Sequence, residues 1–188
     1  RGMALGVTMV LPEKDHLTMR KNQLLDRITM ILGGRVAEEI IYGKDNITTG
    51  ASNDLEKVSS LARSMVQTYG MSEKMGNLAY GKDQEHVFMG RNFGNTRDFS
   101  EEIAADIDKE VKKIVDTQYE FAKNLLTENK DMLEYIAKEL LDKETLDQNE
   151  FDELMEKVRK IRSGELMEEQ NNNAENTELR TEGEQSNG

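Results

Sequence analysis

The chain has 188 residues, enough for one domain and a tail, and carries 37 acidic against 25 basic side chains for a formal charge of −12. That balance, with no cluster of basic residues, argues against a nucleic-acid surface. The absence of cysteine excludes disulfides and a thiolate metal site and is compatible with a reducing compartment.

Residues 3–11 alternate cleanly, with Met3, Leu5, Val7, Met9 and Leu11 on one face and Ala4, Gly6, Thr8 and Val10 on the other. They predict a strand, ended by Pro12, with Arg1-Gly2 as the back half of a hairpin turn. Residues 4–11 are a candidate edge for taking an extended substrate by strand addition; a hairpin strand that only packs on the helices is the plain alternative. This is also the longest apolar run, far short of the ~18 residues that cross a bilayer, so any membrane anchor is expected outside the chain.

Residues 18–42 predict the first helix, with Leu25, Ile28, Leu32, Val36 and Ile40 on one face. Gly33-Gly34 in its middle cost about 1 kcal/mol each relative to alanine. The expected return is close approach of another backbone. Gly43 fits a left-handed C-cap. Glu38 and Glu39 near that end oppose the helix dipole, which predicts a buried partner for one of them, and Arg35 could supply it. Either glutamate could instead approach a metal site as an outer group.

The second helix follows Thr48-Thr49-Gly50-Ala51, with Thr49 or Ser52 able to cap its start. Leu55, Val58, Ala62, Met65 and Tyr69 recur at 3, 4, 3 and 4, a buried stripe that ends near Gly70. Asp54 lies one turn before Val58, on the flank of that stripe. A carboxylate there is costly unless it meets a cation, a metal or donors. On spacing alone it reads first as a second N-terminal cap, favourable with the dipole.

Residues 71–99 predict an irregular stretch with two short β-like runs, 77–80 and 86–89. A segment this long without helix is often functional, here as a cleft wall or a subunit contact. Ser100 caps a long third helix with Ile103, Ile107, Val111, Ile114, Ala122 and Leu125 inward. Its outer face, from Asp106 to Lys113, is an ordinary solvated one. Asn129 caps a short helix through Leu141, and Asp147-Gln148-Asn149-Glu150 is a capping box opening the last, with Phe151, Leu154, Met155 and Val158 inward. These three helices read as scaffold and oligomer surface. Residues 163–188 hold seven glutamates and one arginine, half of the net charge, and read as a disordered acidic tail. The expected organisation is a mainly α domain over residues 1–162, with one N-terminal β-hairpin strand, and the tail.

Two ordered motifs carry more than periodicity. L-G-G-R-V-A-E-E-I-I-Y-G over residues 32–43 and T-T-G-A-S-N-D-L over 48–55 closely resemble the peptidase domain of the FtsH family, membrane-anchored AAA+ zinc metalloproteases. The resemblance continues through Ala62-Arg63-Ser64-Met65-Val66, Tyr69-Gly70-Met71-Ser72 and Val87-Phe88-Met89-Gly90-Arg91, and more loosely to about residue 160. It implies that Asp54, the aspartate of G-A-x-x-D, is the third protein ligand to zinc. It implies too an ATP-hydrolysing upstream module that feeds protein substrates into a homo-hexameric ring. The implied site is a bacterial inner membrane with the peptidase on the cytoplasmic side; the family also occurs in organelles.

The family's other two ligands and its general base sit on an H-E-x-x-H helix, which precedes the residue matching Arg1 and does not occur in these residues. A zincin needs two histidines at i and i+4, so that both imidazoles leave one helix face. The only histidines, His16 and His86, are seventy positions apart and match no family ligand. No G-x-x-x-x-G-K-[ST] phosphate loop is present either. The chain is therefore expected to be the rear part of a peptidase domain, inactive alone, because one carboxylate cannot hold a zinc ion that takes four ligands. The alternative is a non-catalytic helical oligomerisation module of an AAA+ ring. Asp54 weighs against it, since a module without chemistry gains little from that carboxylate.

Overall fold

The computed structural model describes residues 18–81 and 99–164. Five helices account for most of them: α1 Lys21–Tyr42, α2 Ser52–Gln67, α3 Glu101–Glu128, α4 Lys130–Lys143 and α5 Gln148–Ser163. Two single-turn 3-10 segments, Lys44–Asn46 and Thr49–Ala51, join α1 to α2. The described chain is mainly α, as the periodicity predicts, and holds no strand among the described residues. The strand expected over 3–11, the run over 86–89 and the tail from 165 lie outside the described residues, as do both histidines. Residues 77–80, expected to be β-like, are described and are irregular. Tyr80 there donates its backbone N–H to Gln67 O at 2.8 Å, an anchor on the end of α2 in place of a ladder.

The chain divides between Leu125 and Leu126 into two compact units. In the first, Leu24, Ile28 and Leu32 of α1 meet Val58, Ala62, Met65 and Val66 of α2 and Ile107 and Val111 of α3. Each of these side chains larger than Ala62 contributes about 1.5–3 kcal/mol through burial. The stripe of α1 is centred one residue from expectation: Leu24 is buried, whereas Leu25 is only partly so and Ile40 is half-buried. The stripe of α2 is shorter than its period suggests. Leu55 and Tyr69 are exposed at its two ends, and Val66 joins the core instead. Ile103 and Ile114 of α3 pack on the core from its edge, but Leu125 is exposed.

Among the described residues, nothing lies within 4 Å of a Cβ placed at Gly33 or Gly34, so none of them makes the expected close approach. Gly43 does stop α1, and its N–H donates to Glu39 O at 3.0 Å. Its φ of 82° is positive, but its ψ of 162° is extended, so the cap is not the left-handed one anticipated.

The loop after α2 is bound to α3 by polar contacts. Ser72, a buried hydroxyl, donates to Glu110 Oε2 at 2.7 Å and accepts from Met75 N at 3.2 Å. Lys74 meets Asp106 at 2.8 Å. Where the described chain resumes, Phe99 packs edge-on against Tyr80, ring centroids 6.0 Å apart. Ser100 then caps α3 as predicted, its Oγ accepting from Ile103 N at 3.3 Å.

The second unit contains α4 and α5. The capping box forms as its sequence predicts: Asp147 Oδ1 accepts from Glu150 N at 2.9 Å, and Glu150 Oε2 accepts from Asp147 N at 3.0 Å. Asn129 stands at the N-cap of α4 without a side-chain cap bond. Its Oδ1 instead accepts from Arg162 at 2.7 Å, and Arg162 also reaches Asp131 at 3.5 Å. Leu154 and Val158 are buried; Phe151, expected inward, is exposed.

Candidate functional site

The site is built on the connection from α1 to α2. Past Val36, the last buried residue of α1, the helix presents Glu38 and Glu39 on neighbouring positions, about 100° apart around the axis. Ile41 and Tyr42 beyond them are exposed. Polar contacts hold this last turn.

Glu38 turns toward the loop. Its Oε1 accepts from the Thr48 hydroxyl at 2.5 Å, and Oε2 lies 3.4 Å from Thr48 N and 3.2 Å from Arg35 Nη1. The Thr48 hydroxyl holds the Glu38 carboxyl below its ordinary range, with the Thr48 amide and the Arg35 charge adding to it. The same hydroxyl oxygen accepts from Gly50 N at 3.1 Å, so it also caps the 3-10 turn Thr49–Ala51. Gly50 sits where a Cβ would stand 3.2 Å from that oxygen. Neither Thr49 nor Ser52 caps α2 as anticipated: the chain enters α2 through an extra 3-10 turn capped by Thr48, and α2 itself starts after Ala51 without a side-chain cap bond.

Glu39 turns the other way, toward α3. Its Oε1 accepts from Lys123 Nζ at 2.8 Å, its Oε2 accepts from the Tyr119 hydroxyl, and Lys44 lies 3.9 Å away. Only 10% of its side chain is exposed. The Lys123 ammonium first, then the Tyr119 hydroxyl, hold its carboxyl below the ordinary value. Burial, reinforced by the Glu39 carboxylate, pushes the Tyr119 phenol up to about 12. Arg35, the partner proposed for either glutamate, pairs with Glu38; the better buried carboxylate is served from α3. The sequence held no local signal for this, since Tyr119 and Lys123 read there as scaffold.

Asp54 is the third residue of α2, in the first turn, where the dipole favours a carboxylate. It is half-exposed and pairs with Lys57 one turn on, at 3.0 Å. Lys57 is itself exposed, and a surface pair of this kind contributes little and exchanges readily for a stronger partner. An oxygen donor so placed, at a helix start fixed by a pinned loop, fits a zinc ligand in chemistry and in access. Among the described residues no three His, Cys, Asp or Glu side chains are close enough to hold a metal. Asp54 is thus brought together with neither Glu38 nor Glu39 in such a cluster.

The described residues thus form a mainly helical unit in which a pinned loop leads into α2 and its first-turn carboxylate, Asp54. The comparisons give the chain a family. The model of peptidase family M41 matches residues 1–154, and the chain belongs to that family. It is 47% identical over 154 residues to ATP-dependent zinc metalloprotease FtsH 1 of Thermoanaerobacter sp. (strain X514), covering 82% of this chain and 25% of that protein. It is 47% identical over 157 residues to ATP-dependent zinc metalloprotease FtsH of Bacillus subtilis (strain 168), covering 83% and 24%. The FtsH of Thermotoga maritima is 46% identical over 148 residues, covering 79% and 24%. The chain spans about a quarter of the length of these relatives.

Proposed function

We propose that these residues form the rear part of the catalytic domain of an ATP-dependent zinc metalloendopeptidase, and that Asp54 is the carboxylate ligand to its metal. The observation that carries this reading is position. In a chain of family M41, Asp54 stands half-exposed in the first turn of α2, directly after a turn pinned by Glu38. Zinc in such a site supplies Lewis-acid activation of water and of the scissile carbonyl. Asp54 itself contributes charge and geometry rather than proton transfer. The remaining ligands and the general base belong to an H-E-x-x-H helix outside these residues, so the chain alone is inactive.

The whole protein, on the same reading, takes protein substrates, hydrolyses ATP in another module and assembles as a homo-hexamer anchored in a bacterial inner membrane. Its peptidase domain lies on the cytoplasmic side. No described helix is long and apolar enough to cross a membrane. The bacterial sources of the relatives support the bacterial part of this reading.

The test measures zinc content and casein cleavage for this chain and for one extended upstream through H-E-x-x-H, each with Asp54 and with Asp54→Ala. Zinc and cleavage in the extended chain alone, both lost in Asp54→Ala, are the expected result. An extended Asp54→Ala protein that keeps both would make Asp54 a helix-start residue only. An extended chain that assembles but neither binds zinc nor cleaves would make this an oligomerisation module.

A further inference from the structure

The last turn of α1 needs an anchor that its hydrophobic residues do not supply. Behind it, Leu24, Ile28 and Leu32 hold the helix in the core, but Gly33-Gly34, within the continuous helix, meet no described residue within 4 Å of an added Cβ. Past them only Val36 is buried. The polar anchor is Glu39, whose two oxygens are divided between Tyr119 and Lys123, four apart on one face of α3. For stability alone, apolar side chains of similar volume would serve as well, since a nearly buried carboxylate has to recover its desolvation. What a charge-assisted, two-donor contact adds is direction. It fixes the rotation of the turn about the helix axis.

That rotation decides where the neighbouring residue points. Glu38 reaches Thr48 only if the turn is held, Thr48 caps the turn Thr49–Ala51, and that turn runs directly into α2 two residues before Asp54. We propose that Tyr119 and Lys123 are positioning residues for Asp54: by holding Glu39 they set α1's last turn, Glu38 with it, and through Thr48 the start of α2. The inference rests on the reading of Asp54 as the zinc ligand and extends it to α3, the next helix in the chain.

The test uses the full-length protein and reads zinc affinity by chelator competition beside the thermal midpoint. Tyr119→Phe and Lys123→Met are each expected to weaken zinc binding by about tenfold, the low end of what losing an outer partner of a ligand costs. Lys123→Arg, which keeps the charge and a donor, is expected to restore it. The control is Gln118→Ala, which removes the other polar tie between these helices, from Thr29 to Gln118 at 2.9 Å, without touching Glu39. It is expected to lower the midpoint and leave zinc affinity alone. Thr48→Val combined with Lys123→Met should weaken zinc no more than either change singly, because both cut one path.

Zinc affinity unchanged in Tyr119→Phe and Lys123→Met while Asp54→Ala abolishes binding overturns this inference and spares the Asp54 assignment. So does a loss in Gln118→Ala as large as theirs, since the effect would then be general loosening. Unaltered zinc binding in Asp54→Ala overturns the assignment itself and this inference together.

Discussion

Tyr119 is a phenol whose surroundings oppose its ionisation. Burial and the adjacent Glu39 carboxylate raise it from its ordinary 10.0 to about 12. A group raised in the folded state lends stability that is complete below its unfolded pKa and disappears as pH climbs through the folded one. The first unit should therefore lose stability between pH 10 and about 12, with Lys123, also raised by its bond to Glu39, contributing in the same direction. Urea midpoints across that window are expected to fall steeply for the native chain and less steeply for Tyr119→Phe. Equal slopes would mean that the phenol is not the group responsible. Glu39 works at the opposite limit. Its lowered carboxyl lends stability that is present above the ordinary glutamate range and lost as pH falls through its folded value. The contact is therefore most stable over the neutral range between these limits.

At the scale of the element, α1 contains an apparent flaw. Gly33 and Gly34 sit mid-helix, and among the described residues nothing lies within 4 Å of a Cβ added at either position, so no close packing by those residues offsets their flexibility. Gly33→Ala and Gly34→Ala should each stabilise the isolated chain by about 1 kcal/mol through helix propensity and a less disordered unfolded state. Thermal or urea unfolding checks this, and a loss of stability in either variant would show that the missing side chain is needed for a contact. The periods of α1, α2 and α3 were legible because their apolar residues recur at helical spacing and because Ser100 and Asp147 carry local capping chemistry. The ends were not, since exposure at Leu55, Tyr69 and Leu125 depends on where neighbouring helices stop. Asp54, the proposed ligand, stood out only through its motif. Its support was only half legible: Glu38 and Glu39 stood out as acids at the wrong end of a helix, but Glu39's partners lie 80 and 84 residues away, and no local pattern links them. Thr48 was hidden by a 3-10 turn that sequence periodicity does not reveal.

Across the whole molecule, burial is unevenly shared. The first unit has a connected core running from Leu24 to Val111 through α1, α2 and α3. In the second, α4 has no buried residue and α5 has only Leu154 and Val158. Alongside the half-buried Met132, Leu133 and Ile136 of α4, this unit carries polar, partly exposed ties: Lys157 stands 5.7 Å from the Tyr135 ring centre, and Arg162 binds Asn129 and Asp131. Surface ion pairs contribute about 0–1 kcal/mol each, whereas core side chains contribute about 1.5–3 kcal/mol. Opening free energy follows buried apolar contact. Native-state hydrogen exchange on this chain should therefore find the slowest amides in α1 and α2, around Ile28 and Met65, and markedly faster ones throughout α4 and α5. Ile28→Ala, costing about 2–5 kcal/mol as a fully buried aliphatic, should lower protection in α1 and α2 together. Leu154→Ala should strip protection from α5 while leaving that of α1 unchanged. Protection in α4 as high as in α1 would mean that something beyond these polar ties buries that helix in solution, and the assembled ring of the proposed function would be the first place to look for it.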